Sequence, residues 1–262
     1  MQCTLAHKYD FHKDVTGWWM SEKYDGIRAI WDGENFMSRT EKLIQAPEWF
    51  KEGLPKGVTL DGELWCGRGE FQKTVGIVRS HEGNSDWSSV KYMVFDIVVD
   101  RTTVGERLEL LDDLECSQPG GCFPHVEVVH QTICEDLDHL KEFELQILNA
   151  GGEGVMLKAP NSMYEYKRTK KLLKMKRMKK SIADVVGYTP GKGRHEGKVG
   201  ALLCNWMLDC GPELTVRKIA VGSGLTDLER ENPPEVGSVI KIKYFDVTEA
   251  GMPRFPVYEG VL

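Results

Sequence analysis

The sequence predicts an α+β fold: a larger unit of antiparallel sheets with helices, followed by a small β-barrel. Three observations predict it. Apolar runs of strand length recur through the first 180 residues, separated by turns rich in Gly, Asp and Asn. Residues 106–115 and 135–150 instead carry apolar side chains at helical spacing. After Lys180 the helical patterns nearly vanish and short strands alternate with Gly-rich turns. A boundary at Lys180 therefore divides the 262-residue chain into 1–180 and 181–262.

Taken in order, residues 14–34 alternate as two strands around a turn at Lys23, and residues 36–40 continue the same sheet. Residues 45–51 read as a short helix. Residues 58–65 form a strand and Gly67-Arg68-Gly69 the loop after it, while residues 71–80 fit either a helix or a loop. Residues 92–99 are a near-continuous apolar run, the pattern of a buried strand. Leu108, Leu111 and Leu114 line one helix, and Leu137, Leu140, Phe143 and Ile147 another, which Gly151-Gly152 stops. Both stripes are expected to face the core. Strands resume at 154–158 and 172–178. In the second unit, residues 183–188, 201–208, 214–221, 239–245 and a last run near Val257 make five short strands, with one helix at 226–230. That arrangement fits the OB-fold, a barrel that handles oligonucleotides.

Hydrophobic residues at 41% and charged residues at 28% exclude a disordered chain. No apolar run reaches membrane-spanning length, so no membrane partner is expected. The first eight residues lack the basic and apolar regions of a signal peptide. The chain as written is expected in the cytoplasm, or in the periplasm if a leader has been removed. Cys3, Cys66, Cys116, Cys122, Cys134, Cys204 and Cys210 are scattered and never form C-x-x-C, which argues against a zinc site and a disulfide framework. The net charge of −6 counsels against a nucleic-acid partner, but the distribution reverses that reading. Nine of the fourteen residues from 167 to 180 are Lys or Arg and none is acidic, whereas residues 106–144 are rich in Asp and Glu. A segregated basic stripe is the electrostatic footprint of phosphate binding.

The segment with the most chemistry is Lys23-Tyr24-Asp25-Gly26-Ile27-Arg28. A lysine held in a turn, desolvated and close to other cations, loses preference for its ammonium form and becomes a nucleophile. The six residues alone are equally consistent with a polar turn bearing surface charges. Lys174 and Lys176 lie two apart on a predicted strand, so both project from one face. Glu63 and Glu153 stand at strand ends beside glycines that let the backbone approach closely.

Lys23 to Arg28 resembles the K-x-D-G-x-R signature of covalent nucleotidyltransferases. Ser38-Arg39, Asp61-Gly62-Glu63-Leu64, Val94-Phe95-Asp96, Gly152-Glu153-Gly154-Val155-Met156-Leu157-Lys158 and Leu172-Leu173-Lys174-Met175-Lys176 follow in that family's order. From about residue 5 onward the chain resembles an ATP-dependent DNA ligase, of the minimal type seen in bacterial type E ligases and viral relatives. The resemblance implies a nucleotidyltransferase domain with an ATP-grasp-like ligase fold, then an OB-fold domain. It also implies ATP as the source of a covalent AMP, Mg²⁺ or Mn²⁺ as the metal, and nicked double-stranded DNA as the partner of a monomer.

By the same resemblance Lys23 attacks the α-phosphorus of ATP, Lys174 and Lys176 neutralise the α-phosphate, and Glu63 and Glu153 hold metal and ribose. Phe95 stacks on adenine, Arg28 and Arg39 contact the nucleotide and nick phosphate, Asp25 lies near the 3′-hydroxyl, and Arg168 is a further nick-side cation. In the barrel, Lys192, Arg194 and Lys198, with Lys241 and Lys243, are the expected DNA phosphate contacts. Arg254, in Arg254-Phe255-Pro256-Val257, is implied to assist adenylation. One departure bears on base choice: many larger ligases carry Glu two residues before the lysine, where this chain has Ser21, so adenine recognition is expected to rest on backbone groups. The alternatives are the same covalent chemistry on other ends, as in an RNA ligase or a capping enzyme, and a non-catalytic nick-binding module.

Overall fold

The computed structural model describes residues 3–80, 86–116, 124–209, 214–245, 247–248 and 250–262. The chain divides into two compact units, Met1–Lys176 and Arg177–Leu262. The first unit runs β1 (Leu5–Lys8), β2 (Trp19–Glu22), β3 (Ile27–Trp31), β4 (Phe36–Ser38), β5 (Leu43–Ile44), α1 (Glu48–Lys51), β6 (Leu60–Trp65) and α2 (Phe71–Arg79). It continues with β7 (Lys91–Ile97), α3 (Val104–Cys116), β8 (Val126–Val128), β9 (Thr132–Ile133), α4 (Leu137–Asn149), β10 (Val155–Lys158) and β11 (Arg168–Met175). These strands form two sheets, ordered β5-β4-β3-β6-β7-β8 and β1-β11-β10-β2-β9.

That topology corrects one expectation at the centre of the site. β2 and β3 were expected to form one sheet around Lys23, yet they belong to different sheets: β2 pairs with β10 and β9, and β3 with β4 and β6. Period-two alternation fixes which face of a strand is buried and leaves its neighbour open. The crossing depends on Gly26, where a Cβ would sit 2.2 Å from the Leu64 carbonyl oxygen. Two pairings are also parallel, β1 with β11 and β7 with β8, in an otherwise antiparallel unit.

Each sheet has its own core. Ala29, Phe36, Leu60, Leu64, Tyr92 and Val94 pack with Ile77 and Val78 of α2 and Leu108 and Leu111 of α3. Met20, Val155, Leu157 and Leu173 pack with Leu140 and Ile147 of α4. Residues 71–80, open between helix and loop, form a helix because Thr74, Ile77 and Val78 bury one face of it. α4 begins at Asp136, whose carboxylate accepts from the His139 amide at 2.8 Å. Its stripe is less complete than expected, since Leu137 in the first turn is 43% exposed.

The second unit comprises β12 (Lys179–Pro190), β13 (Val199–Asp209), β14 (Leu214–Val221), α5 (Asp227–Glu231), β15 (Val239–Tyr244) and β16 (Val257–Val261). Their order is β14-β13-β12-β15-β16. A bridge from Ser223 to Val257, with the Tyr258 amide donating to the Ser223 carbonyl at 2.9 Å, joins the two edges and closes the sheet as a barrel. Val185, Leu202, Trp206, Ile219, Ile240 and Ile242 fill it. Lys180 lies inside β12, so the division falls four residues earlier than the sequence boundary. Cys3, Cys66, Cys134 and Cys204 are free thiols; Cys122 and Cys210 lie outside the described residues. Among the described residues no helix is long and apolar enough to cross a membrane.

Candidate active site

Lys23 begins the crossing between the two sheets. Its amide donates to the Gly154 carbonyl at 2.8 Å, which ties the crossing to the start of β10. Gly154 has φ +151°, and a Cβ there would meet the Met175 carbonyl oxygen at 2.2 Å. Only glycine lets Glu153 sit this close to β11. The Lys23 Nζ donates to Glu153 Oε2, and Lys176 Nζ to Glu153 Oε1 at 2.7 Å. Leu173 and Met175 point into the core, so Lys174 and Lys176 share the opposite face, as the spacing predicted. Burial lowers the Lys174 amine below its ordinary range, and the charges of Lys23 and Lys176 lower it further. Burial also lowers Lys176; Glu153 opposes that, and Lys23 adds to it. Two ammonium groups therefore share one carboxylate, with Lys174 in electrostatic reach of all three, a cationic surplus that suits a phosphate.

Asp61 and Glu63 project from alternate positions of β6, with Arg28 on neighbouring β3. Arg28 donates Nε to Asp61 Oδ1 at 2.9 Å and Nη2 to Oδ2 at 2.5 Å, and Nη1 to the Thr4 carbonyl at 2.7 Å. Tyr164 adds its hydroxyl to Asp61 Oδ2 at 2.6 Å. This pairing turns Arg28 inward, its Cζ 5.4 Å from the Phe95 ring centre, whereas Arg39 is exposed in the turn after β4. Glu63 accepts no side-chain hydrogen bond or ion pair among the described residues. Burial pushes its carboxyl up to about 8; Lys23 and Arg28 pull it down, and Glu153 and Asp61 raise it. An unfolded Glu titrates near 4.5, so between 4.5 and about 8 the folded protein binds the extra proton and stability falls as pH rises. Glu63→Gln is expected to flatten the melting temperature across that window and to stabilise the protein above it. Parallel pH profiles for variant and parent would contradict this.

Behind Phe95 lies a group of buried charges that the sequence reading left without a role. Asp96 stands directly opposite Asp61 in the β6–β7 register. Arg107 of α3 donates Nε to Asp96 Oδ1 at 2.7 Å, and Lys158 of β10 donates to Oδ2 at 3.2 Å. Burial would raise the Asp96 carboxyl, but Lys158 and Arg107 together hold it below its usual range. Lys158 Nζ also donates to the Phe95 carbonyl and lies 5.6 Å from its ring centre. A charged residue inside each of two apolar strands, Asp96 and Lys158, was the available signal. On the far side of Lys23, Arg68 clamps Glu22 through two bonds of 2.9 and 2.6 Å.

The remaining predicted residues are spread over the two units. Asp25 lies in the crossing within electrostatic reach of Lys176. Arg168 donates to the Ala6 carbonyl and so ties β11 to β1. In the second unit Lys198 pairs with Glu231 at 2.7 Å, and Arg194 donates to His195 Nε2 at 3.0 Å. Lys192 lines an open groove of about 750 Å³ with His195, Arg230 and Phe255. Lys243 pairs with Glu259 at 2.8 Å, and Lys241 is exposed on β15. The Arg254 carbonyl accepts from the Phe245 amide at 3.1 Å. Among the described residues no group of three His, Cys, Asp or Glu is placed to hold a metal.

Residues 3–176 match the ATP dependent DNA ligase domain family, and residues 190–261 the DNA ligase OB-like domain family. The DNA ligase of Haemophilus influenzae is 35% identical over 254 residues, covering 97% of this chain and 90% of that protein. A solved structure from work on Lig E DNA ligases, described as binding DNA with a minimal scaffold, superposes with a TM-score of 0.90. It is 35% identical and covers 100% of this chain and 99% of its own. The fold alone is shared with Chlorella virus DNA ligase-adenylate, at a TM-score of 0.55 and 24% identity over 100% of this chain and 99% of that one. The chain belongs to the ATP-dependent DNA ligase family.

Proposed function

We propose that the protein seals 5′-phosphate/3′-hydroxyl nicks in duplex DNA, as a monomer, through AMP carried on Lys23. The observation that supports this reading is the cluster of Lys23, Lys174 and Lys176 about Glu153. In the first step the Lys23 nitrogen bonds to the α-phosphorus of ATP and pyrophosphate departs. The nick's 5′-phosphate oxygen then displaces the lysine, and the 3′-hydroxyl oxygen displaces AMP to close the strand. Each step is a displacement at phosphorus, in which positioning and charge neutralisation supply most of the catalysis. Lys174 and Lys176 offset the phosphate charge. Phe95 gives the base an aromatic face, a contact typically worth about 1–3 kcal/mol. Arg28 borders the nucleotide; Asp25, Arg39 and Arg168 lie on the nick side. Arg254 assists adenylation.

Glu63 and Glu153 are the residues that would hold Mg²⁺. They are two hard oxygen donors, one of them a half-buried carboxyl in no direct ion pair among the described residues, and Mg²⁺ usually takes one or two carboxylates with substrate phosphates and water. It would supply charge neutralisation at the reacting phosphate. Lys192, Arg194 and Lys198 are proposed to contact the DNA backbone from the barrel. Binding that rests on such contacts weakens steeply with salt. With about six phosphates neutralised, nick affinity is expected to fall roughly a thousandfold between about 50 and 200 mM salt. A titration insensitive to salt would contradict this. The function is tested by offering ATP or GTP with nicked DNA or nicked RNA: sealing of DNA with ATP is the expected result. Sealing of RNA alone, or labelling by GTP alone, would replace it.

A further inference from the structure

Next to Phe95 the structure holds a buried polar atom with no partner. Gln131, between β8 and β9, donates its Nε2 to the Phe95 carbonyl at 2.9 Å. Its Oε1 is buried without a hydrogen-bond partner. The orientation of this amide is fixed, because turning it over would set Oε1 against the Phe95 carbonyl oxygen, acceptor against acceptor. Lys158 donates to that same carbonyl and holds it in place. An amide oxygen shielded from water and given no donor bears the cost of desolvation, and such groups call for an explanation.

The location supplies one. In the pairing of β2 with β9, Trp19 lies opposite Ile133 and Met20 opposite Thr132. Continuing that register sets Gln131 level with Ser21, two residues before Lys23. Ser21 is buried and pairs on its other side with Met156. Gln131 thus stands between the Phe95 backbone and the strand that delivers the nucleophile.

From this geometry we propose that Gln131 selects the base: its Oε1 accepts a hydrogen bond from the exocyclic amine at position 6 of adenine. The proposal rests on the reading of Phe95 as the base's stacking face. Adenine carries a donor at position 6 and guanine a carbonyl oxygen, so the fixed acceptor satisfies one and repels the other. Because the site is shielded from water, solvent does not compete for Oε1, and the contact discriminates more than it would at the surface. Ser21 brings no carboxylate to this position, and Gln131 offers an amide oxygen level with it.

The test measures kcat/KM for adenylation of Lys23 with ATP, with purine riboside triphosphate, which has hydrogen at position 6, and with inosine triphosphate, which has oxygen there. In the wild type ATP is expected to exceed purine riboside triphosphate by about tenfold or more, and inosine triphosphate by a larger factor. In Gln131→Met, ATP should fall to the level of purine riboside triphosphate, whose own value should change by less than about threefold. Equal use of ATP and purine riboside triphosphate by the wild type overturns the proposal whether or not the variant folds. So does a Gln131→Met enzyme that keeps its ATP preference. Wild-type protein that takes no nucleotide onto Lys23 from any triphosphate would instead remove the proposed function, and this inference with it.

Discussion

Lys23→Ala is expected to abolish formation of the enzyme–AMP adduct, a loss of more than about 10⁴-fold for a residue that is itself the nucleophile. The same variant should still close a nick whose 5′-phosphate already carries AMP, because the third step uses the 3′-hydroxyl and leaves the lysine a spectator. The split follows from the geometry. Lys23 is placed by backbone, through Gly154 and the Gly26 crossing, so removing its side chain leaves the pocket walls standing. Glu153 retains Lys176 as a partner. A Lys23→Ala protein that seals an ordinary nick from ATP would refute the assignment, and one that fails on the pre-adenylated nick would show that Lys23 also holds the phosphate during sealing.

Asp96→Ala should have the largest effect on stability. It removes the carboxylate that serves both Arg107 and Lys158, and leaves two cations facing each other in a buried site. Breaking a buried pair in this way costs about 3–5 kcal/mol. At roughly 2–4 °C per kcal/mol for a domain of this size, the first unit should melt some 6–20 °C lower. The sign of the pH dependence is also set. Lys158 and Arg107 hold the Asp96 carboxyl below its usual range, so the stabilisation is present above the ordinary Asp value and is lost as the pH falls through the folded value. Calorimetry showing a shift under about 2 °C would mean that Asp96 is a bystander.

The strands and helices were largely legible because each buries one face, and burial leaves a period in the sequence. Leu173 and Met175 against Lys174 and Lys176 is the clearest case. Sheet membership was less legible. Nothing in the alternation of residues 14–34 says that β2 and β3 part company, since the deciding contact is between Gly26 and the distant Leu64 carbonyl. β1 went unread for a similar reason: Leu5–Lys8 has little pattern of its own and is a strand because Arg168–Met175 pairs with it.

At the site, the motif residues were named through the resemblance, and the pairings that hold them were not legible. Asp61, Tyr164, Lys158 and Arg107 act through partners 11 to 103 positions away. Local spacing carries no trace of such pairs. Arg28 is the instructive example, since the resemblance implied a contact with nucleotide and nick phosphate and gave no sign that its guanidinium pairs with the buried Asp61 carboxylate.

The central claim is that Lys23 carries the nucleotide. Incubating the protein with ATP and Mg²⁺ and mapping the modified peptide by mass spectrometry tests it directly. The expected result is a mass increase of one AMP on Lys23, absent in Lys23→Ala and reversed by adding pyrophosphate. An unmodified Lys23, or AMP found on Lys174 or Lys176 instead, would contradict the account.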